Sequence, residues 1–269
     1  MSISTLNQYR NKILAPYQTV YISKSNQGSN AGRMASFWTA TPGAGGTPST
    51  AAAPDRSTTG ALGQLNSNGT QRLAELVAGF SHGGMTYLWI CDRLSHQGGL
   101  SGTAGGEQTT NLPTAALTRS TNGVGVMAAL EIYTVIGTTA VDATLRYDND
   151  AGSTDLTSPP VTIGGASPTA RNPFRLVIMP LNSGDKGVKK VSGVTLSAST
   201  GTAGNFGVTL FKPLYCLPVY NSGGQHVEID GVFGGGHLPA VPADACLFFV
   251  FISQDSNSLF AAGLKFVED

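Results

Sequence analysis

The apolar positions of this chain fall into short runs, cut every ten or so residues by Gly, Asn and Asp. The clearest stretch runs from Gly123 to Ile163. Residues 124–136 are mostly apolar, Gly137-Thr138-Thr139 breaks them, and Val141 to Tyr147 alternates apolar with polar. Asp148 to Gly152 has the composition of a tight turn, and Thr157 to Ile163 resumes extended character. Such spacing is the signature of a β-sandwich or barrel. Further strands are predicted over residues 19–23, 85–91, 111–119, 174–179, 188–198, 206–219, 245–252 and 259–267, and residues 33–38 read as a short apolar element. Val194 to Ser199 alternates, so one face is buried and one wet. Leu247 to Ile252 does not alternate and is predicted to be covered on both faces. Residues 71–80 fit a helix through Leu73, Leu76, Val77 and Phe80, or a strand through their branched and aromatic content.

The N-terminal part reads differently. Ser4 to Leu14 predicts a short helix, capped by Ser4 or Thr5, with Leu6, Tyr9, Ile13 and Leu14 on one face and Pro16 after its end. Eleven residues are too few for a stable isolated helix, so it must pack on its own domain or on a neighbouring subunit. Residues 41–54 form an Ala/Gly/Pro-rich arm with few groups to order itself, so an ordered arm implies a partner surface beneath it. Asp92 to Glu107 reads as a polar, Gly-rich loop. The expected layout is a helix and arm over 1–60 and a β-sandwich body over 61–269. Its jelly-roll-like core spans 123–269, which holds about eight strands.

Charge changes the picture. Only 12% of the 269 residues are charged and the formal net charge is zero, against roughly 25% charged residues in an ordinary soluble domain. A balanced, sparsely charged chain has no electrostatic footprint for nucleic acid and suits burial against neighbours. No apolar run is long enough for a membrane-spanning helix, and the N-terminus lacks the basic and apolar regions of a secretory signal. Cys91, Cys216 and Cys246 are far apart, odd in number and set in apolar runs, which predicts buried free thiols and a reducing site of synthesis.

Candidate chemistry is thin. His82, Cys91, Asp92 and His96 could bind a metal or supply a catalytic dyad, but the spacing matches no compact zinc signature, so a surface loop with hydrogen-bonding histidines is the simpler reading. Asp148, Asp150 and Asp155 lack the longer ligand series of a calcium loop. The runs at Gly98, Gly105 and Gly234 do not link a strand to a helix or end in Lys-Ser or Lys-Thr, so they are not phosphate loops. His226 and His237 flank a Gly-rich loop without further catalytic partners. Arg175, Lys186, Lys189 and Lys190 form a basic cluster, read as a solvated strand edge or as contact with an acidic patch on a neighbour.

The phrases Leu130 to Thr139, Val191 to Gly207 and Val241 to Leu247 resemble structural proteins of tailed-bacteriophage virions. The resemblance covers the half of the chain after Gly123. It implies a jelly-roll-like antiparallel β-sandwich behind an N-terminal arm. It also implies a non-enzymatic subunit without cofactor or metal, made in the bacterial cytoplasm and placed on the phage head as a cement or decoration protein. Its partners would be the major capsid protein or other virion subunits and further copies of itself, with neither nucleic acid nor membrane. The interface expected on this reading uses Leu6, Tyr9, Ile13, Arg33, Trp38, Lys189 and Lys190. The alternatives are a receptor- or carbohydrate-binding module presenting Trp38, Tyr215 or Tyr220, a major capsid subunit, and a hydrolase built on His82, Asp92 and His96.

Overall fold

A computed structural model describes residues 5–8, 11, 18–25, 31–63, 71–81, 84–166, 171–221, 227–230, 240–253 and 259–268. The strands are β1 (Gln18–Lys24), β2 (Met34–Ser36), β3 (Gln71–Phe80), β4 (Gly84–Leu100), β5 (Gly106–Leu112), β6 (Met127–Thr134), β7 (Val141–Asn149) and β8 (Leu156–Thr157). They continue as β9 (Val161–Ile163), β10 (Leu176–Ile178), β11 (Val188–Leu196), β12 (Asn205–Asn221), β13 (Val227–Asp230), β14 (Ala240–Val241), β15 (Leu247–Ser253) and β16 (Phe260–Glu268).

A central six-stranded sheet has the order β10-β6-β12-β4-β15-β2. Its two edges meet, because Ala35 bridges Arg175 and the Ser36 N–H donates to Phe174 O at 2.9 Å. The sheet therefore curls into a nearly closed barrel, which removes most of its exposed edge. Two further antiparallel sheets flank it, β1-β16-β3-β13 with β14 on β3, and β5-β11-β7-β8 with β9 on β7. The first packs Leu76, Leu264 and Phe266 against Leu88, Phe249 and Phe251 of the barrel wall. The second packs Leu145, Tyr147, Val191 and Val194 against Leu130, Ile132, Val208 and Leu210. Cys91, Phe211, Phe248 and Val250 share a third cluster with Trp38 inside the barrel. The chain is all-β in its described body, with sheets packed in sandwich fashion on a barrel.

Local chemistry explains the strands. In β7, Val141, Ala143, Leu145 and Tyr147 are buried while the residues between are more exposed. Residues 71–80 are strand, not helix, since Leu76, Ala78 and Phe80 are buried in alternation with Glu75, Val77 and Gly79. Residues 247–251 are all buried because β15 lies between the barrel interior and the first flanking sheet. Pro213 and Pro218 sit in β12 beyond Phe211, where β6 has ended and that side of the strand has no ladder to donate to.

Several expectations need correction. β4 runs on to Leu100, so residues 92–100 are strand and not loop. β5 spans Gly106–Leu112, and residues 113–119 are not strand. The arm, expected to need a partner surface beneath it, lies on an edge of its own body. Strand β15 pairs with β4 only as far as Asp92, and the arm takes the vacated edge. Ala52 and His96 exchange both backbone hydrogen bonds at 2.9 Å, and the Gly98 N–H donates to Pro48 O at 2.6 Å. At the N-terminus residues 6–8 and 11 are helical. Thr5 caps the turn, with the Gln8 N–H on Thr5 Oγ1 at 3.2 Å and the Thr5 N–H on Gln8 Oε1 at 3.1 Å. The remainder of the expected helix, Tyr9 and Ile13 included, lies outside the described residues.

Candidate functional site

The densest polar constellation lies inside the barrel. Arg93 on β4 and Glu131 on β6 are almost fully buried, with side chains 0% and 2% exposed. The guanidinium Nη2 of Arg93 donates to Glu131 Oε2 at 2.5 Å and to the hydroxyl oxygens of Tyr133 and Thr209 at 3.0 Å. Thr209 Oγ1 and Tyr133 OH in turn donate to Glu131 Oε2 at 2.6 and 3.1 Å. Arg93 Nε donates to His96 Nδ1 at 2.8 Å, which requires a neutral imidazole. The guanidinium carbon lies 4.3 Å from the Trp38 ring centre and 5.3 Å from that of Phe248, so its faces meet aromatic rings. Desolvation, aided by the Arg93 charge, pushes the His96 pKa down to about 2. Burial first, and the Glu131 charge second, raise that of Tyr133.

A second buried pair joins the arm to this centre. Arg119 Nε donates to Asp92 Oδ2 at 2.9 Å, and its Nη2 donates to Asp92 Oδ1 at 3.0 Å, Pro54 O at 2.8 Å and Arg93 O at 2.8 Å. Asp92 Oδ1 also accepts from the Cys246 N–H at 2.9 Å. At the other end of the arm, Lys24 Nζ donates to the carbonyls of Ala40, Pro42 and Gly43 at 3.2, 2.8 and 3.2 Å, and burial lowers its pKa. Between these anchors Trp38 Nε1 donates to Gly46 O at 2.9 Å, and the indole lies directly under Gly45. The arrangement is a clamp. Its charged groups face each other and no reacting atom faces solvent.

The expected site residues separate accordingly. Asp92 is turned to Arg119 and Cys246, His96 to Arg93, and both are buried, so the two do not form a dyad and do not lie on a surface loop. His82, His226 and His237 lie outside the described residues. Cys91 and Cys246 are buried, but Cys216 is exposed, because it sits on the free stretch of β12. Burial raises the Cys246 thiol to about 12. The acidic turn is internally satisfied. Asp150 Oδ1 accepts from the Lys186 N–H at 2.8 Å, Asp148 Oδ1 accepts from the Asp155 N–H at 3.0 Å, and Asp185 Oδ1 and Oδ2 accept from Asn149 and Tyr147. Among the described residues no group of three or more His, Cys, Asp or Glu side chains is placed to hold a metal.

Of the expected interface residues, Leu6 and Arg33 are exposed, as is Lys190, while Lys189 is half-buried. Trp38 is fully buried beneath the arm and offers neither an interface side chain nor a sugar platform. Arg175 is also buried and does not belong to the surface basic cluster. Tyr215 is half-buried against the first flanking sheet's core. The side chain of Tyr220 lies outside the described residues.

Sequence reasoning missed Arg93, Glu131, Tyr133, Thr209 and Arg119. The available signal was a charge inside an apolar run, as in Leu130-Glu131-Ile132. It also missed a cleft of about 1240 Å³ on the outer face of the first flanking sheet. Small residues, Gly79, Ala261 and Gly263, line it beside Val77, with exposed Tyr21 and Leu259 at its border. The Tyr21 ring stands over Gly263 across the β1–β16 pair, 3.4 Å from where a Cβ at that glycine would lie.

Neither a protein-family model nor a curated protein matches the chain. Among solved structures, particles of T=1 type derived from infectious bursal virus are similar at 12% identity, with 94% of this chain and 78% of that chain covered and a TM-score of 0.20. The VP2 subviral particle of infectious bursal disease virus is similar at 12% identity, with 93% of this chain and 80% of that chain covered and a TM-score of 0.20. At these TM-scores the fold assignment rests on the sheets described above.

Proposed function

We propose that this chain is a non-enzymatic structural subunit of a virion, bound between or across shell subunits of a phage head as a cement or decoration protein. The observation that carries the reading is the apolar cleft bordered by exposed Tyr21 and Leu259, 83% and 58% accessible, on a chain with only 12% charged residues. Uncovered apolar surface of this kind marks a face made for another protein. The buried ion pairs support the same reading, since they fasten strands and arm into a rigid body. The resemblance of residues 130–139, 191–207 and 241–247 to phage structural proteins supplies the virion context.

The mechanism is mechanical. Many weak, repeated contacts between rigid subunits add up over a closed symmetric shell and raise the barrier to its rupture. The test is to mix the purified chain with virions that lack it and to measure bound chain by sedimentation. Saturable binding and greater resistance of the particles to heat are the expected outcome. Indifference to particles, with retention on a glycan surface, would replace this reading with a receptor-binding module. Assembly of the chain alone into closed shells would make it a principal capsid subunit.

A further inference from the structure

We propose that residues 45–52 of the arm are an acid-released latch: when His96 takes up a proton, this span leaves the edge of β4 while both of its ends stay fastened. His96 holds the span in two ways. Its backbone exchanges both hydrogen bonds with Ala52 at 2.9 Å. Its ring packs at right angles to Trp38, with ring centres 5.3 Å apart, and Trp38 lies under Gly45 and donates to Gly46 O at 2.9 Å. Ser95 Oγ donates to Ala52 O at 3.0 Å and the Gly98 N–H to Pro48 O at 2.6 Å, so the span follows β4 from residue 95 to 98. The ends are held by other groups. Lys24 grips Ala40, Pro42 and Gly43, and Arg119 grips Pro54. Both are cations whose charge acid leaves in place, so the span bows out between them and uncovers the β4 edge.

With the arm closed the imidazole has no place for a second proton. Its Nδ1 accepts from Arg93 Nε at 2.8 Å, and the residue is 3% exposed. Among the described residues, the charged and titratable groups around it are already engaged. Arg93 lies on its own strand, β6 supplies Glu131 and Tyr133, both bonded to that arginine, and β12 places Thr209 opposite, bonded to Arg93 and Glu131. Asp92 is held by Arg119 and the Cys246 N–H, and the Cys246 thiol is kept neutral by burial. Residues 45–52 bring no charged side chain. A protonated ring would therefore press against a guanidinium in a dry interior, which burial and like charge both oppose. Burial first, and the Arg93 charge second, hold the pKa at about 2. Once the span lifts, water reaches the ring, the ring can turn from Arg93, and its affinity for a proton returns to the ordinary range. The closed form binds the proton more weakly, so its advantage is complete above about pH 6.5 and falls about tenfold per pH unit below that.

Hydrogen exchange on the purified full chain, followed amide by amide by NMR between pH 6.5 and 4.5, tests the latch. Rates are expressed as protection factors, which remove the intrinsic effect of pH on exchange. Protection of the Ala52, His96 and Gly98 amides is expected to fall roughly hundredfold across this window. Protection of Leu145 and Val194, buried in β7 and β11, is expected to hold. His96→Asn keeps an acceptor for Arg93 and does not titrate, so its arm protection is expected to be flat with pH. His96→Gln takes its place if that variant does not fold, and the contrast between arm and β7 is read on the unaltered chain in either case. A flat profile in the unaltered chain, a fall shared by Leu145 and Val194, or a slope retained without the imidazole would each overturn the proposal.

Discussion

Arg93 Nη2 and Glu131 Oε2 lie 2.5 Å apart across the intervening strand β12, whose Thr209 hydroxyl accepts from the arginine at 3.0 Å and donates to the glutamate at 2.6 Å. The pair thus ties three strands of the barrel through one charged contact. A buried pair of this kind adds little over well-packed apolar residues, but removal of one partner strands the other charge in a dry interior. Glu131→Gln is expected to lower unfolding stability by about 3–5 kcal/mol. The double change Arg93→Met/Glu131→Met is expected to cost less than either single change. Chemical denaturation of the three variants measures both statements.

His96 makes the fold sensitive to acid. Its folded-state pKa of about 2 lies below the ordinary value of 6.5, so the unfolded chain takes up a proton that the folded chain refuses. Stability from this group is fully present above about pH 6.5 and is lost as pH falls, at about 1.4 kcal/mol per pH unit. Between pH 6.5 and 4.5 the expected loss is roughly 2–3 kcal/mol. His96→Asn, which keeps an acceptor for Arg93 and does not titrate, is expected to flatten this part of a Tm-against-pH curve. An unchanged slope would show that the imidazole is not the group refusing the proton.

Gly45 is a position where a side chain does not fit. A Cβ there would lie 2.2 Å from Trp38 Cε2, and Gly60 backs it with a φ of +104° and its own Cβ position 2.6 Å from Gly45 Cα. Gly45→Ala forces either the indole or the arm to move, at about 1–3 kcal/mol. The arm is then expected to become the first site of proteolytic cleavage, which mass spectrometry of a limited digest would locate.

Thiol reactivity reports the barrel's integrity. Cys216 is exposed, whereas Cys91 and Cys246 are buried and their pKa values are raised by desolvation above all. An aromatic disulfide reagent is expected to titrate one thiol rapidly in the native chain and all three after denaturation. Rapid reaction of a second thiol in the native state would mean that the barrel interior opens on that timescale.

Much of the β architecture was legible along the chain. Alternation at Val141, Ala143, Leu145 and Tyr147 gives β7 its buried face, and the unbroken apolar run after Ala245 matches a strand covered on both sides. The turn at 148–152 follows from residues that bond their own backbone. Cap chemistry placed the start of the N-terminal helix. Such features depend on neighbours a few residues away, so sequence order carries them.

The interior clamp was only half legible. Asp92 and His96 stood out as chemistry-bearing residues, but local order made them polar loop, because a charged strand centre is forbidden unless distant groups neutralise it. Those groups are Arg119, Glu131 and Thr209, which are 27, 38 and 116 residues from the side chains they meet. The same holds for the arm, whose edge exists only because β15 stops opposite Asp92. The sequence by itself determined an all-β chain, its turn positions and its sparse charge, since period and composition are local. Only the tertiary structure decided the length of β4, the burial of Trp38 and the seat of the arm, because each depends on which distant residues supply the missing partners.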